Sequence, residues 1–151
     1  MAKTTTLPVT QNAKLWAQTI VNGSSFVAAN PGTAPTNTLL LGTAGADGSV
    51  VKSLVISSTD TASATVQFWI SIDGGTTKYL IGSVVVAGLS GNATLANIDV
   101  LGNTLLQGFA NDSSGRPVLN LPASCTVHVC VITSAVTTNK NVYVLGMVED
   151  F

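Results

Sequence analysis

The stretch Val66-Gln67-Phe68-Trp69-Ile70-Ser71-Ile72, the turn Asp73-Gly74-Gly75, and the return arm Lys78-Tyr79-Leu80-Ile81 decide the fold class. Alternation along the first arm places Val66, Phe68, Ile70 and Ile72 on one face and Gln67, Trp69 and Ser71 on the other, the period of two that a half-buried strand requires. The apolar face is assigned to the core. Trp69 is then a large aromatic on a polar face, either an anchor for a partner or a ring covered by a neighbouring loop. The turn supplies positive φ and side-chain capping, so the segment reads as a β-hairpin.

The same pattern extends in both directions. Runs rich in Val, Ile, Thr and Leu predict strands near 14–21, 24–29, 37–42, 50–57, 64–72, 78–86, 99–106, 117–121, 125–133 and 141–148. Turn clusters separate them, among them Asn22-Gly23, Asn30-Pro31-Gly32, Gly45-Ala46-Asp47-Gly48, Gly91-Asn92 and Thr138-Asn139-Lys140-Asn141. The passage 87–106 carries Gly88, Gly91 and Gly102, which argue against a long helix and for a loop with a short strand. Regularly spaced short strands predict an all-β chain, a sandwich or a barrel. Residues 1–13, Thr-rich and containing Pro8, are expected to form an N-terminal arm ahead of a sandwich domain spanning 14–151.

Composition narrows the function. Hydrophobic residues make up 46% of the 151, yet charged residues only 9%, with a formal net charge of -1. Soluble domains ordinarily carry about a quarter charged residues, so a surface this poor in charge is expected to be covered largely by neighbouring subunits. The six cations are scattered singly, which disfavours direct nucleic-acid binding. Apolar runs are short and interrupted, so no membrane segment is expected, and the polar start Met1-Ala2-Lys3-Thr4-Thr5-Thr6 resembles no secretory leader.

Little in the chain suggests chemistry. Cys125 and Cys130 fall on opposite faces of one predicted strand and cannot bridge each other, so reduced, buried thiols are expected. The single histidine, His128, has no nucleophile elbow to serve, and one His with two Cys on one strand does not make a zinc site. Asp73 and Asp112 are explained as turn caps, and Asp47, Asp60, Glu149 and Asp150 as turn or terminal residues. No catalytic residue, metal or cofactor is expected. Ser71-Ile72-Asp73-Gly74-Gly75-Thr76-Thr77 resembles the Asp-box hairpin of sialidase-like propellers, with Lys78 where that motif has Trp. One copy implies a hairpin held by Asp and Thr side chains and no catalysis.

From Ile70 onward the chain also resembles small all-β virion proteins of tailed bacteriophages, of the head decoration or cement type. The residues that carry this are the Asp73-Gly74-Gly75 hairpin, Asp99-Val100-Leu101, Phe109 followed by Asp112 and Gly115, Leu119, Leu121-Pro122-Ala123, and the closing strands ending in Met147-Val148-Glu149-Asp150-Phe151. The resemblance implies a single antiparallel β-sandwich, jelly-roll-like, in a non-enzymatic protein on the capsid exterior, made in the host cytoplasm, bridging major capsid proteins and self-associating as a dimer or trimer. Trp16, Trp69 and the arm residues Thr4, Thr5, Thr6, Leu7 and Pro8 are the expected contacts. A tail, baseplate or fibre component is one alternative. A carbohydrate-binding module, with Trp69 and Tyr79 as a stacking platform, is the other.

Overall fold

A computed structural model describes residues 12–22, 26–27, 37–89, 97–102, 110–132 and 135–151. Ten strands occur among them: β1 (Asn12–Val21), β2 (Phe26–Val27), β3 (Leu39–Thr43), β4 (Ser49–Ser58), β5 (Ala64–Ser71), β6 (Tyr79–Val86), β7 (Ile98–Asp99), β8 (Leu119–Leu121), β9 (Thr126–Ile132) and β10 (Asn141–Asp150). No described residue is helical. The first sheet has the order β1-β10-β4, with β7 and β8 both pairing the far side of β4. The second runs β6-β5-β9, with β3 and β2 sharing the far side of β9. Every pairing is antiparallel except the two-residue contact of β2 with β9.

The two sheets pack as a β-sandwich, and its core is filled by side chains from both inner faces. Ile20, Leu54, Ile56, Val142 and Val144 meet Val66, Phe68, Val84, Val86, Val127 and Val129, all essentially removed from water. Fully burying each such side chain contributes about 1.5–3 kcal/mol. Three ladders carry register shifts that reconcile this core with the sequence. In β4, Lys52 is the extra residue opposite Met147 and Val148, so both Val51 and Leu54 point inward although they are three residues apart. Ile81 is the extra residue in β6 and Leu41 in β3.

Trp16 locks the first sheet onto the second. Its indole lies flat over the backbone of Gly42 in β3, where a Cβ would fall inside the ring's van der Waals surface. Gly146 of β10 leaves further room, since a Cβ there would come to 3.4 Å from Leu54 and 3.8 Å from Trp16. At the end of the same sheet, Asp150 ties three strands together. Its carboxylate accepts the Ser49 hydroxyl at 2.6 Å and pairs with Lys14, while the Gly45 amide donates to Ser49 Oγ at 2.9 Å. The Lys14 and Ser49 donors hold the Asp150 carboxyl below the usual carboxylate range.

Several expectations are corrected. β1 begins at Asn12, inside the stretch assigned to the arm, and β10 runs on to Asp150, so Glu149 and Asp150 belong to a strand rather than to a turn or the terminus beyond it. Ile72 is 65% exposed. β5 stops at Ser71, where the side chain of that residue turns the backbone out of the sheet. The passage after Gly88 contributes only the short strand β7 among its described residues. The predicted strand over 24–29 survives as β2, and Phe109 lies outside the described residues.

Gly42→Ala is expected to destabilise the protein by about 1–3 kcal/mol through overpacking. In a Trp16→Leu background the same change should cost clearly less, because the ring it collides with is gone. Urea denaturation of the four proteins of this cycle measures the coupling.

Candidate functional site

The Asp73 hairpin is built as the Asp-box resemblance implies. Ser71 Oγ donates to Asp73 Oδ1 at 2.6 Å, and the Gly75 amide donates to Ser71 Oγ at 2.8 Å. The Thr77 amide donates to both Asp73 oxygens, at 2.9 and 3.1 Å. These donors, Ser71 first, bring the Asp73 carboxyl down to about 2. Gly74 and Gly75 take positive φ, 74° and 96°, which the turn requires. Asp112 caps its own turn in the same way, accepting the Ser114 and Arg116 amides at 2.8 and 2.9 Å.

The outer face of the second sheet carries a buried polar layer. Trp69 lies opposite His128, and Gln67 opposite Cys130, in the β5–β9 ladder. His128 Nε2 is 2.9 Å from Thr126 Oγ1, and its Nδ1 is 3.4 Å from Thr38 Oγ1. Cys130 Sγ is 3.8 Å from Gln67 Oε1. Burial, helped by the nearby Lys78 charge, lowers the His128 pKa. Burial pushes the Cys130 thiol up to about 11 and raises Cys125 as well. A thiol held protonated is a poor nucleophile. Both cysteines are free, and among the described residues no group of three or more His, Cys, Asp or Glu side chains could hold a metal.

Trp16 and Trp69, expected as partner contacts, both lie inside the chain at 6% and 3% exposure. Trp16 is needed by Gly42 across the sandwich. Trp69 is the covered ring of the two readings, and its indole Nε1 is buried without a hydrogen-bond acceptor. Thr4, Thr5, Thr6, Leu7 and Pro8 lie outside the described residues.

A different set of side chains is available to a partner. On the outer face of the first sheet Leu15 is 63% exposed, Met147 50% and Leu145 40%. Leu15 stands opposite Met147, and Ala17 opposite Leu145, in the β1–β10 ladder, while Ser53 and Val55 of β4 flank Met147 and Leu145 on the other side. Leu15, Ser53, Val55, Asn97, Leu145, Gly146 and Met147 line an open depression of about 470 Å³. Beside it the Lys52 charge is neutralised by Glu149 at 3.3 Å, and at the end of the sheet Lys14 pairs with Asp150. Beyond Ser53 the surface continues into a smaller hollow of about 320 Å³ bounded by Lys52, Asp99 and Arg116. A second set of exposed apolar side chains, Ile72, Tyr79, Leu80 and Val85, surrounds the β6 hairpin.

The readable signal for this face was in β10 itself. Val142-Tyr143-Val144-Leu145-Gly146-Met147-Val148 is apolar on both faces of the strand, the composition of a strand covered on both sides. No helix among the described residues is long and apolar enough to cross a membrane. Comparison with protein-family models, with curated proteins and with solved structures found no match.

The buried imidazole gives a pH signature. With its folded pKa depressed, His128 is neutral in both states above about pH 6.5, where stability is complete. As pH falls through 6.5 toward the lower folded pKa, the unfolded chain takes up the proton first and stability declines. Urea midpoints measured at pH 8 and pH 5.5 should therefore differ, and His128→Gln should flatten that difference. The Asp73 contribution is lost only at lower pH, between about 4 and about 2.

Proposed function

We propose that the protein is a non-enzymatic structural subunit of a bacteriophage virion, a head decoration or cement protein that sits on the capsid exterior and bridges major capsid proteins. One observation carries this reading: an exposed apolar face of Leu15, Leu145, Met147 and Val55 on a chain with only 9% charged residues. A face with half-exposed Leu and Met side chains gains roughly 25 cal/mol for each Å² of apolar surface it loses to a neighbour. The neutralised Lys52 beside it lets that neighbour approach without a bare charge being buried.

The strand orders support the same reading. β1-β10-β4 with β7 and β8, facing β6-β5-β9 with β3 and β2, distribute the strands over two packed sheets, which supports the jelly-roll-like sandwich of this proposal. Such sandwiches tile shells well because their flat outer faces can meet neighbours on both sides. β1 lies at one border of the apolar face, and in this proposal the expected arm of residues 1–13 supplies a further contact. The carbohydrate-binding alternative loses its platform, since Tyr79 is exposed but Trp69 is buried. A tail or baseplate component would use the same apolar face and is separated by its place on the particle.

Purified protein carrying Leu145→Glu and Met147→Glu should keep its fold, because both side chains project outward, and should lose binding to capsids stripped of it. Cryo-electron microscopy of particles reconstituted with the unaltered protein should show density on the shell exterior with this face against the capsid. Density confined to the tail, or none, would sink the decoration reading.

A further inference from the structure

The apolar depression of the first sheet does not end at β4. Ser53 lines both it and the hollow beyond, whose other walls are Lys52, Asp99, Leu101, Gly102, Arg116 and Pro117. That hollow exists because two short strands divide the far side of β4 between them. β8 pairs with Ser49 to Val51, β7 pairs with Val55 and Ile56, and Lys52 and Ser53 fall in the gap. Lys52 is also the bulge residue of β4 and is exposed there. The result is one groove running across the strands, apolar over β10 and polar past β4. Arg116, at its polar end, is the only arginine in the chain, and a tight turn fixes its backbone. The Asp112 amide donates to the Arg116 carbonyl at 2.9 Å, the Arg116 amide donates to Asp112 Oδ1 at 2.9 Å, and Gly115 takes a φ of 77°. The carboxylates of this region already have donors: Asp99 accepts the Gly102 amide at 3.1 Å, Asp112 the Ser114 and Arg116 amides, and Glu149 holds Lys52. Arg116 is exposed and forms no ion pair among the described residues.

We propose that this groove takes an extended segment of the partner protein carrying an apolar side chain and, three or four residues further on, a carboxylate. The apolar side chain enters the depression of Leu15, Leu145 and Met147, and the carboxylate meets the Arg116 guanidinium in the hollow. Charge selects the occupant of the polar end. The lining there holds two cations, Lys52 and Arg116, against one carboxylate, Asp99. A planar guanidinium without an ion-pair partner binds a carboxylate through two parallel hydrogen bonds. A lysine or arginine of the partner would be set against Lys52 and Arg116 instead. Spacing follows from the sheet: the depression is centred on β10 and the hollow lies past β4, two strand spacings away, about 10 Å, the reach of three or four extended residues. The inference rests on reading the apolar face as an interface and adds the chemistry of the segment that fills it.

Nuclear magnetic resonance titration of the full chain, labelled at its amides and methionine methyls, tests the proposal with three end-capped peptides. In Leu-Ala-Ala-Asp the carboxylate stands three residues after the apolar side chain, and Leu-Ala-Ala-Asn and Leu-Ala-Ala-Lys are the controls. At millimolar concentration the Asp peptide should shift the Met147 methyl and the Arg116 and Gly102 amides together, and should bind roughly fivefold or more tightly than either control. Arg116→Gln keeps the backbone amide that Asp112 accepts, so the turn should hold. That variant should abolish the preference for Asp while the shift at Met147 persists. Equal binding of the three peptides, or no binding by any, overturns the proposal. So does a preference for Asp that survives Arg116→Gln, or one whose shifts miss the groove. On capsids stripped of the protein, Arg116→Gln should weaken binding by a similar factor and reduce its salt dependence, and unchanged binding there also overturns the proposal. If the unaltered protein discriminates the peptides but binds no capsid, the capsid reading falls and the preference of the groove stands.

Discussion

The indole of Trp16 lying on the bare backbone of Gly42 is the contact on which the rest of the arrangement depends. Side chains alternate along a strand, so fixing the direction of one fixes them all. With Trp16 turned inward, Ile20 also faces the core, and Leu15, Ala17 and Thr19 must face out. A slip of one residue would bury Leu15 and expose the largest side chain of the strand. Among the described strands β1 pairs with β10 alone, and the contact of Trp16 with Gly42 across the sandwich adds to what fixes its register. The outward apolar face is a consequence of that single packing choice.

The positions of the strands were legible in the sequence because turn chemistry is local. Clusters such as Asp73-Gly74-Gly75 and Thr138-Asn139-Lys140-Asn141 encode positive φ and side-chain bonds within a few residues, and Asn139 does adopt φ 61°. The bulges were not legible. Whether Lys52 or Ile81 is the extra residue depends on which strand lies alongside, and β4 pairs with a strand some ninety residues further on. Pairing order is likewise non-local: nothing near Asn12 announces that its partner is Asp150, at the other end of the chain.

The site was legible in kind but not in place. A charge content of 9% directs attention to the surface, because apolar and small polar residues are then left to cover it. The choice of Trp16 and Trp69 followed from the enrichment of tryptophan at interfaces, and here both rings are consumed by the fold. Trp16 fills the space that Gly42 leaves, and Trp69 covers the outer side of β9 beside Gln67 and Cys130. Among the side chains that remain outside are Leu15, Leu145 and Met147, ordinary apolar residues whose exposure becomes visible only when the strands are assembled. The polar layer around His128 is explained by its own hydrogen bonds and by burial, without recourse to catalysis.

The account rests on the claim that the apolar face of the first sheet is covered when the protein is at work. Hydroxyl-radical footprinting reads this directly, because Met147 is one of only two methionines in the chain and stands half exposed in that face. Compared between the isolated protein and the native particle, oxidation of Met147 should fall strongly in the particle while that of Tyr79, on the opposite sheet, changes less. Equal oxidation of Met147 in the two states would contradict the claim.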